Sequence, residues 1–366
     1  MEQKGRQSNI ELLRVLTMMA IIIHHIVVHC VNEQLPSSIY SQAQQFYELG
    51  LLDFGAMLGP IGNGIFVLIS GYFLVPRGKN VSMVNSAKKL ISQLVFAALV
   101  LMLSAGVAYQ LTRNASDVFF ALAPTAVITN MNVMCWFVGY YFTIILCGRL
   151  FLNGFLSGID KTRYIETLLV LLGLATFSWS GELLDGVLPG GRTLFAGLFL
   201  YAIGGFMAMY HPFQKVPTNC LWLILGMIAF IILWSGYHLR AMYIEQYILS
   251  GAEGDFNQII MSFTNYFLPV LIVSITIVEL FLRMDIGSHA SINMISKATF
   301  MIYLIHDNDF FYRIWKLYDW VALLHSNVFA YVGMIILWAV GVFVIGTIVY
   351  GVYAVICGKM LKNIIR

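Results

Sequence analysis

Four basic side chains, an arginine and three histidines, lie inside one apolar stretch near the N-terminus, "NIELLRVLTMMAIIIHHIVVHC" (residues 9–30). Arg14 is close to one end of this stretch, and His24 and His25 lie past its middle. An imidazole can accept and release a proton near neutral pH, and a guanidinium binds phosphate through paired hydrogen bonds. These residue types therefore indicate acid–base chemistry at a histidine and anion recognition at the arginine.

Helical geometry distinguishes the two histidines. At about 100° per residue, the step from Arg14 to His25 turns a helix through about 1100°, so their side chains point within roughly 20° of each other. The direction of His24 differs from that of Arg14 by roughly 80°, and His24 is expected to pack against a neighbouring helix or to cap a hydrogen bond. Arg14 and His25 thus share one face, about 16 Å apart along the axis. Glu11 lies one turn before Arg14 and can pair with it.

The two residues on this face differ in how strongly they indicate function. Arg14 alone is equally consistent with a solvated interface cation that pairs with Glu11. His25 is more informative, because an imidazole past the middle of a bilayer needs a partner or a wet cavity. We therefore interpret His25 as a functional residue.

The composition places these residues in a membrane protein. Of 366 residues, 60% are hydrophobic and 11% are charged, which leaves too little polar surface for a soluble globule. Apolar runs of roughly 20 residues, the length that spans hydrocarbon, recur along the chain. The sequence predicts an all-α polytopic membrane protein, a bundle of about ten transmembrane helices that forms a single domain over residues 1–366.

The predicted spans are 10–31, 55–75, 90–110, 134–153, 164–180, 193–210, 220–237, 258–282, 296–312 and 328–357. The short piece Val118–Thr129 contains Pro124 and is predicted to be interfacial or re-entrant. With a cytoplasmic N-terminus, only Arg113, Arg192, Arg240, Arg313 and Lys316 of the 21 basic residues lie outside, which leaves 21 − 5 = 16 inside. Both termini are therefore predicted to be cytoplasmic, in a multi-pass protein of the cell membrane.

Several other classes are disfavoured. The net charge of +3 comes from basic residues scattered at helix ends, so no nucleic-acid partner is predicted. The five cysteines show neither C-x-x-C spacing nor a disulfide framework. The sequence predicts no metal and no permanently bound cofactor, and it carries no signal of oligomeric state.

Five motifs occur in an order that resembles one family. They are N-I-E-L-L-R followed by the histidine of "IIIHH", "GNGIFVLISGYFLV" (62–75), "SAKKLISQLV" (86–95), "CWFVGYYFTIILCGRLFLN" (135–153) and "KATFMIYLIHDN" (297–308). Together they resemble the membrane acyltransferase-3 family, whose members have about ten spans. The resemblance covers nearly the whole chain.

The resemblance implies an activity. It implies transfer of an acyl group, usually acetyl, from acyl-CoA as co-substrate to a hydroxyl of a glycan or other cell-envelope molecule, with the first-helix arginine and histidine essential. The sequence departs from the family in two ways. Lys88 and Lys89 stand where many members carry arginines, and no extracytoplasmic esterase-like domain follows the spans.

The residues support a division of roles. Arg14, Lys88 and Lys89 are predicted at the cytoplasmic rim, where they would meet the phosphates of acyl-CoA. Deeper on the Arg14 face, His25 is the candidate general base that takes the proton of the attacking hydroxyl, and a covalent acyl-histidine remains an alternative.

Other polar or aromatic residues are candidates for a supporting or acceptor-side role, each with a structural alternative. Close helix packing explains Ser70 and Tyr72 better than chemistry does, and a place in the aromatic belt or in the core does the same for Trp136. The polar cluster at the end of a predicted span is expected either to bind a sugar or to cap the helix, and consists of His306, Asp307 and Asn308.

Two rival functions are a secondary transporter and a lipid-linked glycan polymerase or flippase. A transporter would be expected to show internal symmetry and helices broken by Gly or Pro in matching positions, and neither is evident. A haem protein would need a second histidine facing His24 or His25, whereas the other histidines lie mainly near predicted helix ends.

Overall fold

The structure is a computed structural model that describes residues 7–34, 46–78, 83–112, 136–176, 191–250 and 267–364. Every regular element in those ranges is helical. The predicted interfacial piece Val118–Thr129 lies outside the described residues.

The helices are α1 (Ser8–Ile26), α2 (Phe46–Leu74), α3 (Met83–Thr112), α4 (Trp136–Cys147), α5 (Lys161–Thr176), α6 (Gly191–Tyr210), α7 (Thr218–Ser250), α8 (Phe267–Arg283), α9 (Ala290–Ile295), α10 (Thr299–His306), α11 (Asp309–Trp315), α12 (Trp320–Ser326) and α13 (Val328–Ile364). Two of them continue through a π-helical turn, α1 as far as Gln34 and α4 as far as Leu156.

Six stretches within the described residues are long and apolar enough to cross a membrane. They are Ser8–Gln34, Gly50–Arg77, Ala87–Gln110, Phe137–Leu156, Thr193–Tyr210 and Val328–Cys357. Thr218–Trp234 is a further, shorter apolar helix. The all-α membrane architecture is thus supported, while the count of about ten spans and the cytoplasmic location of both termini stay predictions.

The stretch predicted as a single span, 296–312, is interrupted. A 3₁₀ turn precedes α10, and α10 ends at His306, because the backbone angles of the next residue, Asp307, are φ −80° and ψ 69° and are not helical. The side-chain oxygen of Asn308 then accepts a hydrogen bond of 3.3 Å from the backbone N–H of Phe311 and caps α11. Apolar residues lie on both sides of the polar cluster, so the pattern predicted one continuous span, although helix capping was one of the two roles expected for the cluster.

Helix α1 lies at the junction of two groups of helices. Its C-terminal part packs into a core with α10, α12 and α13, and its N-terminal part joins a second core formed mainly by α2, α6 and α8. In the first core Trp320 and Trp315 are fully buried, and the indole N–H of Trp320 donates to the carbonyl of Trp315 over 2.7 Å. This central place lets side chains on α1 meet residues from the end of the chain.

Helices α2 and α6 pack with their backbones in close contact. A Cβ added at Gly71 would overlap the carbonyl oxygen of Tyr201, and one added at Gly204 would overlap the carbonyl oxygen of Leu68. The packing role that the sequence suggested for the Ser70–Tyr72 stretch is therefore confirmed at Gly71.

We expect Gly71→Ala to destabilise the protein by about 1–3 kcal/mol, because the methyl group must push apart two backbones that cannot rotate away. Thermal unfolding in detergent would measure the loss. Gly226→Ala on α7 is the matched control, since a Cβ there meets nothing within 4 Å. Equal melting temperatures for the two variants would contradict the close α2–α6 contact.

Candidate active site

His25 is paired with a second histidine. Its Nδ1 atom lies 3.0 Å from Nε2 of His306, at the end of α10, and both side chains are buried. The carboxylate oxygen Oδ1 of Asp307 lies 3.9 Å from the same Nδ1 atom of His25. Helices α1 and α10 therefore bring together two imidazoles and one carboxyl group in the interior.

The backbone defines which ring nitrogens carry protons. Nδ1 of His306 is 2.7 Å from the carbonyl oxygen of Ile302, and a carbonyl can only accept a hydrogen bond. Nδ1 of His306 must therefore carry a proton, and in the neutral ring Nε2 is an acceptor. It follows that Nδ1 of His25 donates to His306 and that Nε2 of a neutral His25 keeps its lone pair.

A tyrosine completes the surroundings of Asp307. The hydroxyl of Tyr312 donates to Oδ1 of Asp307, and the Tyr312 ring stacks on His29 with centroids 4.4 Å apart. Asp307 is 4% exposed, so its carboxyl group is held inside the protein next to the histidine pair.

His24 has a structural role. Pro60 lies inside α2 and has no N–H, so the carbonyl of Ala56 lacks its helical donor. Nδ1 of His24 lies 2.6 Å from that carbonyl oxygen and supplies the missing hydrogen bond. A Cβ at Gly59 would overlap the His24 ring, so the glycine makes room for it. The prediction that His24 packs against a neighbouring helix is confirmed.

The predicted pair of Arg14 and Glu11 is present. Nη1 of Arg14 lies 3.2 Å from Oε1 of Glu11, whose side chain is buried, whereas the Arg14 side chain is 27% exposed. The hydroxyl of Ser296 donates to the other carboxylate oxygen of Glu11. Glu11 therefore orients a guanidinium that remains partly open to solvent or to a ligand.

Lys88 and Lys89 lie near the start of α3, the helix that packs on α10. Lys88 is half-buried and Lys89 is exposed, in the first turns of α3. The hydroxyl of Ser92, one turn further, lies 2.7 Å from that of Tyr353 on α13. Arg14 itself hydrogen-bonds to both carboxylate oxygens of Glu11.

The remaining candidates are Ser70, Tyr72 and Trp136. The hydroxyl of Ser70 donates to the carbonyl of Phe66 over 2.8 Å and lies 2.7 Å from the hydroxyl of Tyr141. Tyr72 is half-buried in the second core, and Trp136 begins α4. The structure thus divides the candidates, with His306 and Asp307 beside His25 and Asn308 capping α11.

Sequence reasoning did not find the contact between His25 and His306. It placed His306 with Asp307 and Asn308 in a supporting or acceptor-side cluster. The two histidines are 281 positions apart, and no local pattern connects them. The available signal was that both imidazoles stand in apolar segments, where each must find a polar partner.

The apolar helices and the buried pair define an integral-membrane helical protein with a side chain that can accept a proton. The chain belongs to the membrane acyltransferase-3 family, since the family model described as an acyltransferase domain matches residues 7–355. The protein is therefore a membrane acyltransferase, as the motifs predicted. Neither the curated proteins nor the solved structures contained a match. Within the described residues, no group of three His, Cys, Asp or Glu is arranged to hold a metal ion.

Proposed function

We propose that the protein transfers an acyl group, most simply acetyl, from acyl-CoA to a hydroxyl of a cell-surface or lipid-linked glycan. The observation that carries the proposal is the hydrogen-bonded His25, whose Nε2 lone pair is left available by the contact with His306. Acyl transfer to a hydroxyl needs such a base, because the alcohol must lose its proton as it attacks the thioester.

The proposed transfer needs no reactant besides acyl-CoA and the acceptor hydroxyl. His25 Nε2 takes the hydroxyl proton while the oxygen forms a bond to the thioester carbonyl carbon. The carbon–sulfur bond then breaks, and the leaving thiolate receives the proton from His25 to give CoA. In a covalent route, the same Nε2 atom would carry the acyl group before the hydroxyl attacks.

The donor is proposed to enter from the cytoplasm, where acyl-CoA is made, which implies that the protein lies in the cytoplasmic membrane. The nucleotide phosphates would meet Arg14, with Lys88 and Lys89 contributing positive charge at the same rim. Arg14 is suited to this role because Glu11 orients it and part of its side chain stays exposed. The thioester would then extend along the α1 face toward His25.

Removing the Arg14 charge is expected to weaken acetyl-CoA binding about tenfold or more, because a charge-assisted contact to phosphate contributes about 1.5–3 kcal/mol. Titration calorimetry of purified Arg14→Ala would measure this, and wild-type binding should weaken as salt rises. Arg163→Ala is the matched control, because Arg163 is a largely exposed arginine that pairs with Asp160. Equal affinities of the Arg14 variant and wild type would remove Arg14 from the donor site.

The activity itself is tested with radiolabelled acetyl-CoA. Membranes that contain the protein should release CoA and pass the label to an envelope glycan fraction, and membranes without it should not. Glycan movement across vesicles without any need for CoA would instead support the transporter or flippase alternative.

A further inference from the structure

We propose that His306 is a positioning residue that holds the proton of His25 on Nδ1 and so keeps Nε2 free for the reaction. The proposal rests on the base role of His25 in the proposed function. It goes beyond that role because it states that a histidine on another helix determines which ring nitrogen of His25 carries the proton.

The directions of the hydrogen bonds support this positioning role. Nδ1 of His306 donates to the backbone carbonyl of Ile302, so its Nε2 can only accept from a neutral His25. An isolated neutral histidine side chain prefers its proton on Nε2, the nitrogen that the reaction needs unprotonated. His306 therefore reverses the intrinsic preference of His25.

His306 is itself held in place by its own helix. Its side chain is 0% exposed, and its acceptor is the carbonyl one turn earlier on its own helix. Helix α13 supports that turn, since a Cβ at Gly346 would lie 2.6 Å from Cγ1 of Ile302. A ring held by a packed backbone turn gives the hydrogen bond to His25 a fixed direction.

The other neighbours of His25 are poorly placed to accept the proton of its Nδ1 atom. The Asp307 carboxyl is 3.9 Å from Nδ1, beyond hydrogen-bonding distance, and already accepts from Tyr312. The other titratable rings that face His25 belong to His24, His29, Tyr312 and Tyr303, with centroids at 5.3, 5.7, 6.2 and 6.3 Å. His306 is the closest of the facing rings, with centroids 5.1 Å apart.

Two substitutions separate positioning from packing. In His306→Gln the amide oxygen can accept from His25 at about the place of the lost Nε2, whereas His306→Leu fills the space and accepts nothing. We expect His306→Leu to lower kcat about 100-fold, with the KM for acetyl-CoA within about twofold of wild type. His306→Gln should stay within about tenfold of wild-type kcat. Equal rates for the two variants would overturn the proposal.

The decisive readout is nuclear magnetic resonance of isotope-labelled histidine, recorded without substrates. The His25 signals are identified by their loss in His25→Ala, and the proton should be on Nδ1 in wild type and His306→Gln. A wild-type proton on Nε2 would overturn the positioning role, even if His306→Leu fails to fold. Because this spectrum needs no activity, it separates the two proposals: full transfer by His25→Ala would refute the base role of His25 whichever nitrogen carries the proton.

Discussion

Replacing His25 by alanine is expected to reduce acyl transfer by about 10²–10⁴-fold, the range that a positioned general base contributes. The variant should still insert and fold, because alanine removes a buried polar group and leaves a small cavity. Its partner His306 keeps its hydrogen bond to the backbone of Ile302. Transfer is measured with radiolabelled acetyl-CoA in membranes that contain equal amounts of each protein.

His24→Ala is the matched control, since it removes the same side chain one position earlier. His24 donates to the carbonyl of Ala56, which Pro60 leaves without a helical donor, so its loss should cost about 1 kcal/mol of stability. Most of the activity should remain. The reverse ranking of the two variants would refute the base role of His25. An equal loss of activity in both variants would indicate that His24 and His25 both serve helix packing.

Replacing Asp307 by asparagine is expected to have the second-largest effect. When His25 takes a proton, its positive charge lies 3.9 Å from Oδ1 of Asp307 at the wild-type geometry. Opposite charges at about 4 Å attract by ~4 kcal/mol at an effective dielectric constant of ~20, and each 1.36 kcal/mol is about tenfold in rate. We expect kcat to fall between about tenfold and a thousandfold, measured under saturating acetyl-CoA.

Tyr312→Phe separates the charge of Asp307 from the hydrogen bond that holds it. Asparagine keeps an oxygen that can accept from the Tyr312 hydroxyl, whereas Tyr312→Phe removes the donor and keeps the ring that stacks on His29. If the charge of Asp307 stabilises protonated His25, kcat falls further in Asp307→Asn than in Tyr312→Phe. A wild-type kcat for Asp307→Asn would show that this carboxylate does not stabilise protonated His25.

The parts of the site that depend on one helix were predictable from sequence. Helical periodicity placed Glu11 beside Arg14, and the structure contains that ion pair. The same periodicity predicted that His24 points away from the Arg14 face, and in the structure His24 packs against α2. Such contacts follow from 3.6 residues per turn and need no knowledge of the tertiary fold.

The parts that depend on several helices were not predictable. Nothing near His25 indicates that its partner is His306, because the pairing follows from how α1 packs on α10. The exact helix end was not predicted either, since the predicted span continued through residue 312, although capping by the polar cluster was one of its two expected roles. The hydrogen bond of His24 depends on Pro60, a residue in another helix whose missing N–H matters only once the helices meet.

The most direct test of the account is a mass comparison of envelope glycans from cells with the wild-type protein, with His25→Ala and without the protein. The account predicts that wild-type glycans gain the mass of one acyl group per modified site. It predicts that glycans from the other two strains lack this gain. Identical glycan masses in all three strains, or an equal gain with wild type and His25→Ala, would contradict it.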